Sequence, residues 1–110
     1  MWIKKQSKPW EGRIYIAGDI EQAKQRIREM AYNQGMCVTV SLVDYIYTGG
    51  EEKGLVVGLI QYPRFEVDEQ TLEKNLIFLA ENLATRLCQK SFTVSTPNST
   101  IYFRSDLHTK

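Results

Sequence analysis

Residues 62–65, Tyr62-Pro63-Arg64-Phe65, combine side chains that could bind a ligand. An arginine presents a planar fork of N–H donors that matches the two oxygens of a carboxylate or a phosphate. Proline restricts the backbone beside this arginine, and the two aromatic rings offer flat surfaces for stacking. The segment is therefore a candidate anion-binding site. On the sequence alone, the plainer interpretation of an exposed arginine where a strand ends is favoured.

A glycine pair, Gly49-Gly50, is the second candidate for ligand binding. Successive backbone N–H groups at such a pair can form a nest for an anion, and Lys53 would add a positive charge. Glu51 and Glu52 lie between them and would repel an anion. The sequence therefore favours a flexible, solvated loop. The alternative is a nucleotide-binding or nucleic-acid-binding module, or one for another phosphate-bearing ligand, that combines this loop with the arginine segment.

The sequence contains no set of residues typical of an enzyme active site. His108 is the only histidine and stands close to the C-terminus, so a Ser-His or Cys-His unit would depend on a terminal segment. Cys37 and Cys88 have no partner at metal-ligand spacing, and we expect two buried, reduced thiols. We therefore predict no catalytic residue, no metal site, no cofactor and no enzymatic activity.

The composition indicates one globular domain. The chain has 110 residues, 43% of them hydrophobic and 25% charged, which is the balance of a protein with a buried core. Its apolar runs are short and it begins with no secretory signal, so we expect a cytoplasmic protein without a membrane contact. The net charge of +1 argues against nucleic acid as a partner. A local +3 over residues 1–34 indicates ordinary solvated surface.

The pattern of apolar residues predicts five strands and two helices around a central hairpin. Two apolar runs within Met36–Tyr62 flank the polar loop Thr48–Gly54, which is typical of a β-hairpin. The alternation breaks at Leu42-Val43, and we expect a β-bulge there. The other predicted strands are 13–17, 92–96 and 99–104. The helices begin after N-cap residues Asp19 and Asp68 and end near Gln34 and Gln89.

The order β-α-β-β-α-β with an added C-terminal strand predicts an α+β, ferredoxin-like fold. Such a fold has one antiparallel sheet with both helices on one face. We expect an N-terminal arm at 1–12, a single domain at 13–104 and a C-terminal tail at 105–110.

The second face of this sheet would carry tyrosines and valines, and we expect another copy of the chain to cover it. Tyr45 and Tyr47 are candidate interface residues on this face. On the second helix, Phe78 points away from the apolar stripe, with Ile77 at its flank, and forms a second candidate patch for self-association. The sequence therefore predicts a homo-oligomer, with a dimer as the expected form.

The predicted element order also resembles the RNA-recognition motif, in which aromatic side chains on two strands stack on bases. Ile14-Tyr15-Ile16 resembles the start of the family's first-strand motif, and Lys53-Gly54 resembles the opening of its third-strand motif. Leu55 and Val57 occupy the positions where the family has aromatic residues, so two of the three stacking platforms are absent. We do not expect RNA binding.

Four segments resemble small uncharacterised proteins of phages and prophages: IYIAGDIEQAK, CVTV, IYTGGEEKG and GLIQYPRF. The resemblance covers most of residues 13–66 and implies a phage accessory protein, without implying an activity. We therefore expect a non-enzymatic binding module that inhibits or modulates a host protein, or sequesters a small ligand.

Overall fold

The structure, a computed structural model that describes residues 1–105, follows the predicted element order. The seven elements are β1 (Glu11–Ala17), α1 (Ile20–Gln34), β2 (Thr39–Tyr47), β3 (Gly50–Ile60), α2 (Glu69–Arg86), β4 (Ser91–Ser95) and β5 (Thr100–Arg104). The strands form one antiparallel sheet in the order β2-β3-β1-β4-β5. The α+β, ferredoxin-like prediction is confirmed. The predicted tail beyond Ser105, with His108, lies outside the described residues.

Both helices begin where the sequence places a capping aspartate. The Asp19 carboxylate accepts a hydrogen bond from the backbone N–H of Gln22 at 2.9 Å, and Asp68 accepts one from the N–H of Thr71 at 3.3 Å. These bonds satisfy donors that the first helical turn leaves unpaired. At the other end of α1, Gly35 has a φ of 70°, a left-handed conformation that favours glycine.

The two cysteines differ from the prediction. Both thiols are free, but both side chains are exposed rather than buried. Cys37 precedes β2 instead of lying inside it, and α2 ends at Arg86, so Cys88 follows the helix with a φ of 56°. The expectation that α2 reaches Gln89 is therefore wrong, because the chain turns out of the helix before that residue.

The β2–β3 hairpin is tighter and longer than predicted. Tyr47 pairs with Gly50, so the loop consists only of Thr48 and Gly49, and Gly49 has the positive φ of 88° that such a turn requires. The remainder of the predicted loop belongs to β3. Glu51, Glu52 and Lys53 extend β3 beyond the end of its pairing with β1, and all three are exposed to water.

The expected bulge at Leu42-Val43 is absent. The pairing of β2 with β3 runs without interruption from Thr39 opposite Gly58 to Tyr47 opposite Gly50. The prediction assumed that Asp44 would otherwise face the core. Instead the hairpin projects past the core at this point, and Asp44 accepts a hydrogen bond from the Lys53 ammonium at 2.9 Å.

The core lies between the two helices and one face of the sheet. Strand residues Ile14, Leu55, Val57 and Val94 are completely buried there. The helices contribute Ala23, Ile27, Met30, Leu72, Leu76, Leu79, Ala80 and Leu83 to the same cluster. Trp10, which the prediction assigned to the arm, is only 4% exposed and belongs to this core. Within residues 1–105, neither helix is long and apolar enough to span a bilayer.

The opposite face of the sheet is the exposed one. Tyr47 and Tyr102 keep 53% and 64% of their accessible surface on this face. Tyr45 lies flatter: its hydroxyl donates to the Leu55 carbonyl at 2.7 Å, and its ring passes over Gly54. Partial burial raises the pKa of Tyr45 above its ordinary value. This face therefore exposes tyrosine rings to water, and its burial by another copy stays a prediction.

Gly54 is the position where the sheet tolerates no side chain. A Cβ there would lie 2.5 Å from the Ile16 carbonyl oxygen and 2.5 Å from the Tyr45 ring. We expect Gly54→Ala to lower the free energy of unfolding by about 1–3 kcal/mol, because the backbone of β1 must shift. The control Glu52→Ala, exposed on the same strand, should change it by no more than about 0.5 kcal/mol. Equal stability of the two variants in urea titrations would contradict this packing.

Candidate functional site

A cavity of about 580 Å³ lies where α1 ends, β3 ends and α2 begins. Its volume falls in the range of about 300–1,000 Å³ that is usual for small-molecule sites. Leu72, Leu76 and Leu79 of α2 line it together with Leu59 of β3. The other lining residues are Gly35, Met36, Cys37, Val38, Ile60, Gln61, Tyr62, Arg64, Phe65, Val67 and Asn75. The lining is mostly apolar, with a few polar groups.

Gln61 holds the wall of this cavity in place. Its side-chain amide donates to the Val67 carbonyl at 2.6 Å, and its amide oxygen accepts from the Val67 N–H at 3.1 Å. Its backbone N–H donates to the Trp10 carbonyl at 3.0 Å. One nearly buried side chain thus closes the segment 61–67 into a loop, which contains a single 3₁₀ turn over Pro63–Phe65.

Tyr62 and Cys37 meet inside the cavity. A hydrogen bond with the Cys37 side chain raises the pKa of Tyr62, and partial burial raises it further. The phenol is protonated at neutral pH, and its oxygen can still accept a hydrogen bond from a ligand.

Arg64 supplies the charge of the cavity. Its guanidinium carbon lies 5.1 Å from the centre of the Phe65 ring, a cation–π distance. The Phe65 side chain is 69% exposed, so the pair stands at the mouth of the cavity. No ion pair joins Arg64 to a carboxylate in the part of the chain that the structure describes. Its donors are therefore available to an anionic group of a ligand.

The five predicted ligand-binding residues do not form one site. Tyr62 and Arg64 both line the cavity, whereas Gly49, Gly50 and Lys53 belong to the projecting hairpin. The Lys53 ammonium is engaged by Asp44, and the hydrogen bond between them raises the pKa of Lys53. The hairpin tip therefore offers no free cation beside its glycines.

The four predicted interface residues lie on opposite sides of the molecule. Ile77 packs against the core, while Phe78 is 47% exposed on the outer surface of α2. Tyr45 and Tyr47 belong to the sheet face turned away from the helices. A two-fold symmetric interface uses the same surface of both copies and cannot include both Phe78 and the tyrosines, so for a symmetric dimer they represent two alternative contacts.

A second depression, of about 420 Å³, lies between the helices and is polar. Arg26 and Arg86 both donate to the Glu29 carboxylate, and Arg26 also donates to the Asn82 side chain at 2.6 Å. The Arg26 hydrogen bond is the main cause of the lowered pKa of Glu29. These arginines already have partners, so we interpret this cluster as a clamp between α1 and α2.

The sequence analysis missed the residues that give the cavity its shape. Met36 lies between α1 and β2, Gln61 follows β3 and Asn75 belongs to α2, and no spacing in the sequence connects them. One signal was present at Gln61, a polar residue directly after the apolar run of β3 and before the aromatic-proline pair. A polar side chain in such a place needs a hydrogen-bond partner, and Val67 is that partner.

Two solved structures share this fold over almost the whole chain. A structure described as a phage SAM lyase in the apo state has a TM-score of 0.76 at 13% identity, covering 98% of this chain and 99% of its own. A phage SAM lyase in complex with S-methyl-5'-thioadenosine has a TM-score of 0.65 at 10% identity, covering 98% of each chain. No protein-family model matches the chain, and no curated protein matches it. At these identities the likeness establishes a shared fold.

These comparisons correct the functional prediction. The sequence analysis expected a non-enzymatic binding module, whereas both structural neighbours are lyases. The expectations of no enzymatic activity and of a purely binding role are therefore contradicted. Both neighbours are phage proteins, which agrees with the phage resemblance of segments such as IYIAGDIEQAK. A mostly apolar cavity displays no set of acids, bases or metal ligands, which are the residues that indicate an enzyme in a sequence.

The Gln61 clamp can be tested by removing its amide. We expect Gln61→Met, which keeps the side-chain length, to lower the free energy of unfolding by about 1–2 kcal/mol because two hydrogen bonds are lost. The Val67 amide should then exchange its hydrogen faster than in the unmodified protein. Gln70→Met, exposed on α2, is the matched control and should change neither quantity. Unchanged exchange at Val67 in the Gln61 variant would show that the loop is held by other contacts.

Proposed function

We propose that this protein is a lyase that cleaves S-adenosylmethionine and releases S-methyl-5'-thioadenosine, with the cavity beside Gln61 as its site. The observation that carries the proposal is the apolar cavity with one arginine and two aromatic rings, Tyr62 and Phe65, near its mouth. The fold that the chain shares with phage SAM lyases supports the same reaction.

The parts of the substrate match the parts of the cavity. S-adenosylmethionine has a carboxylate at one end, a positively charged sulfonium in the middle and an adenosine at the other end. The unpaired Arg64 guanidinium suits the carboxylate, and the faces of aromatic rings attract cations such as a sulfonium. Apolar side chains such as Leu72 and Leu76 suit the flat adenine ring.

The apolar lining also favours the reaction itself. An oxygen of the substrate's own carboxylate forms a bond to the γ-carbon as the bond from that carbon to sulfur breaks. The sulfur keeps the electron pair, so the sulfonium becomes a neutral thioether and the amino-acid chain leaves as a lactone. A positive charge is poorly stabilised by an apolar wall, whereas a neutral thioether is compatible with it. A cavity lined by leucines and Val38 therefore destabilises the charged substrate relative to the neutral product. Tyr62 and Arg64 would orient the substrate within it.

Product release from S-adenosylmethionine tests this proposal. The purified chain should convert it to S-methyl-5'-thioadenosine, measured by chromatography. We expect Arg64→Gln to lower kcat/KM by about 10- to 100-fold, since a charged hydrogen bond contributes about 1.5–3 kcal/mol. The control Arg28→Gln removes an exposed arginine of α1 and should leave the rate unchanged. Absence of the product with the unmodified chain, or equal rates for both variants, would contradict the proposal.

We further propose that the chain forms a homo-oligomer through the exposed sheet face, for which a dimer is the expected form. Its apolar residues, including Tyr47 and Tyr102, support this contact more than the single exposed ring of Phe78 does. The mass measured by light scattering should fall toward that of a monomer in Tyr47→Lys and stay unchanged in Phe78→Lys. A monomer at high concentration of the unmodified chain, or dissociation caused only by Phe78→Lys, would contradict this interface.

In this proposal the protein acts as a phage accessory protein in the cytoplasm of the infected cell. Its partner there is a small molecule, the host's S-adenosylmethionine, rather than a host protein. The chemistry requires no metal, since bond cleavage that leaves a neutral thioether needs no external charge on the leaving sulfur.

A further inference from the structure

The first nine residues form an exposed basic segment, which we call the basic arm (1–9). They belong to no helix or strand. Trp2 and Ile3 are 96% and 97% exposed, which leaves a large apolar surface in water. Lys4, Lys5 and Lys8 give the segment three positive side chains, and it contains no acidic residue. A segment with an exposed tryptophan and several lysines is suited to bind a surface that is both apolar and acidic.

The basic arm joins the folded domain at the edge of the cavity. The next residue, Trp10, is buried in the core, and its carbonyl oxygen accepts a hydrogen bond at 3.0 Å from the N–H of Gln61, a lining residue. Nine extended residues span at most about 30 Å, so Trp2 can reach back over the cavity. Folding so short a segment back onto its own chain costs less entropy than binding a separate molecule in the cavity.

The rim of the cavity has the charge that suits the arm. Acidic residues alternate with lining residues such as Val67 and Leu72 where α2 begins. These acids are Glu66, Asp68, Glu69 and Glu73. The same segment has two basic residues, Arg64 and Lys74, so residues 64–74 carry a net charge of −2. On the other side of the cavity, the last turn of α1 has no basic residue to offset the negative end of its dipole. The arm carries +3.

We propose that the basic arm folds back and seats Trp2 in the cavity, which closes the site until a ligand displaces it. In the structure Trp2 lies outside the cavity, with 96% of its surface exposed. In the closed position the indole contacts the leucines of α2 and the exposed Phe65 ring, and the lysines face the acidic rim. The contact is an autoinhibitory device of the chain itself. It goes beyond the proposed lyase activity because it depends on the cavity and the rim charges, whatever ligand the cavity takes.

The fluorescence of Trp2 reports on this contact. The chain has two tryptophans, so the difference between the unmodified protein and Trp2→Phe isolates the fluorescence of Trp2 from that of buried Trp10. Acrylamide should quench Trp2 about threefold less in about 20 mM salt than in about 500 mM salt, because salt screens the lysines from the rim. Equal quenching at both salt concentrations would overturn the proposal.

Charge-reversal variants make the test specific. Reversing the charge of either partner should restore full quenching of Trp2 by acrylamide. The arm variant carries K4E, K5E and K8E, and the rim variant carries E66K, E69K and E73K. Combining both sets should protect Trp2 again, because attraction between arm and rim is re-established. The control set E51K and E52K changes two acids at the hairpin tip and should leave Trp2 protected. Protection that survives reversal of the arm alone would overturn the proposal.

Dilution and ligand addition show where Trp2 is seated. Protection that disappears on dilution would mean that Trp2 enters a second copy, which overturns the contact within one chain. Addition of S-methyl-5'-thioadenosine should expose Trp2 to the quencher. If Trp2 stays protected at saturating concentrations of this compound while the salt and charge effects hold, the arm contact is supported and the proposed ligand site is wrong. Absence of lyase activity would leave the fluorescence result standing.

Discussion

The hydrogen bonds of Gln61 connect the parts of this protein on which its proposed chemistry depends. Through its backbone N–H it fixes Trp10, where the chain enters the core, and through its side chain it fixes Val67, where the chain approaches α2. The segment between these contacts presents Tyr62 and Arg64 to the cavity. Without this cross-link, nothing else in the described hydrogen bonds would hold the short 3₁₀ turn against the sheet.

Much of the fold follows from local features of the sequence. The capping residues Asp19 and Asp68 and the glycine at position 35 mark the helix ends because each satisfies or permits a specific backbone conformation. The hairpin was harder to predict. Its charged residues resemble a loop, whereas the structure pairs Asp44 with Lys53 on neighbouring strands beyond the core. A cross-strand ion pair of this kind depends on the register, which the sequence does not display.

Only part of the candidate site could be found from the sequence. Tyr62 and Arg64, which both line the cavity, could be named as candidates because an arginine between aromatic residues beside a proline is a local pattern, and their role in binding stays a prediction. The cavity could not, because its walls combine residues from position 35 to position 79 that look like ordinary core positions. An apolar cavity without acids, bases or metal ligands has no sequence signature, and for this reason the sequence alone favoured a binding module over the lyase that we now propose. The fold shared with phage SAM lyases is the observation that contradicts the expectation of a non-enzymatic module.

The central claim is that the cavity beside Gln61 binds a thioadenosine. Backbone amide NMR spectra recorded while S-methyl-5'-thioadenosine is added test it most directly, since chemical shifts report which residues a ligand touches. We expect the amides of Met36, Tyr62, Phe65 and Asn75 to shift with a common saturation curve, and those of the hairpin tip to stay unchanged. Shifts concentrated at Gly49 and Gly50, or on the exposed sheet face, with none around the cavity, would contradict it.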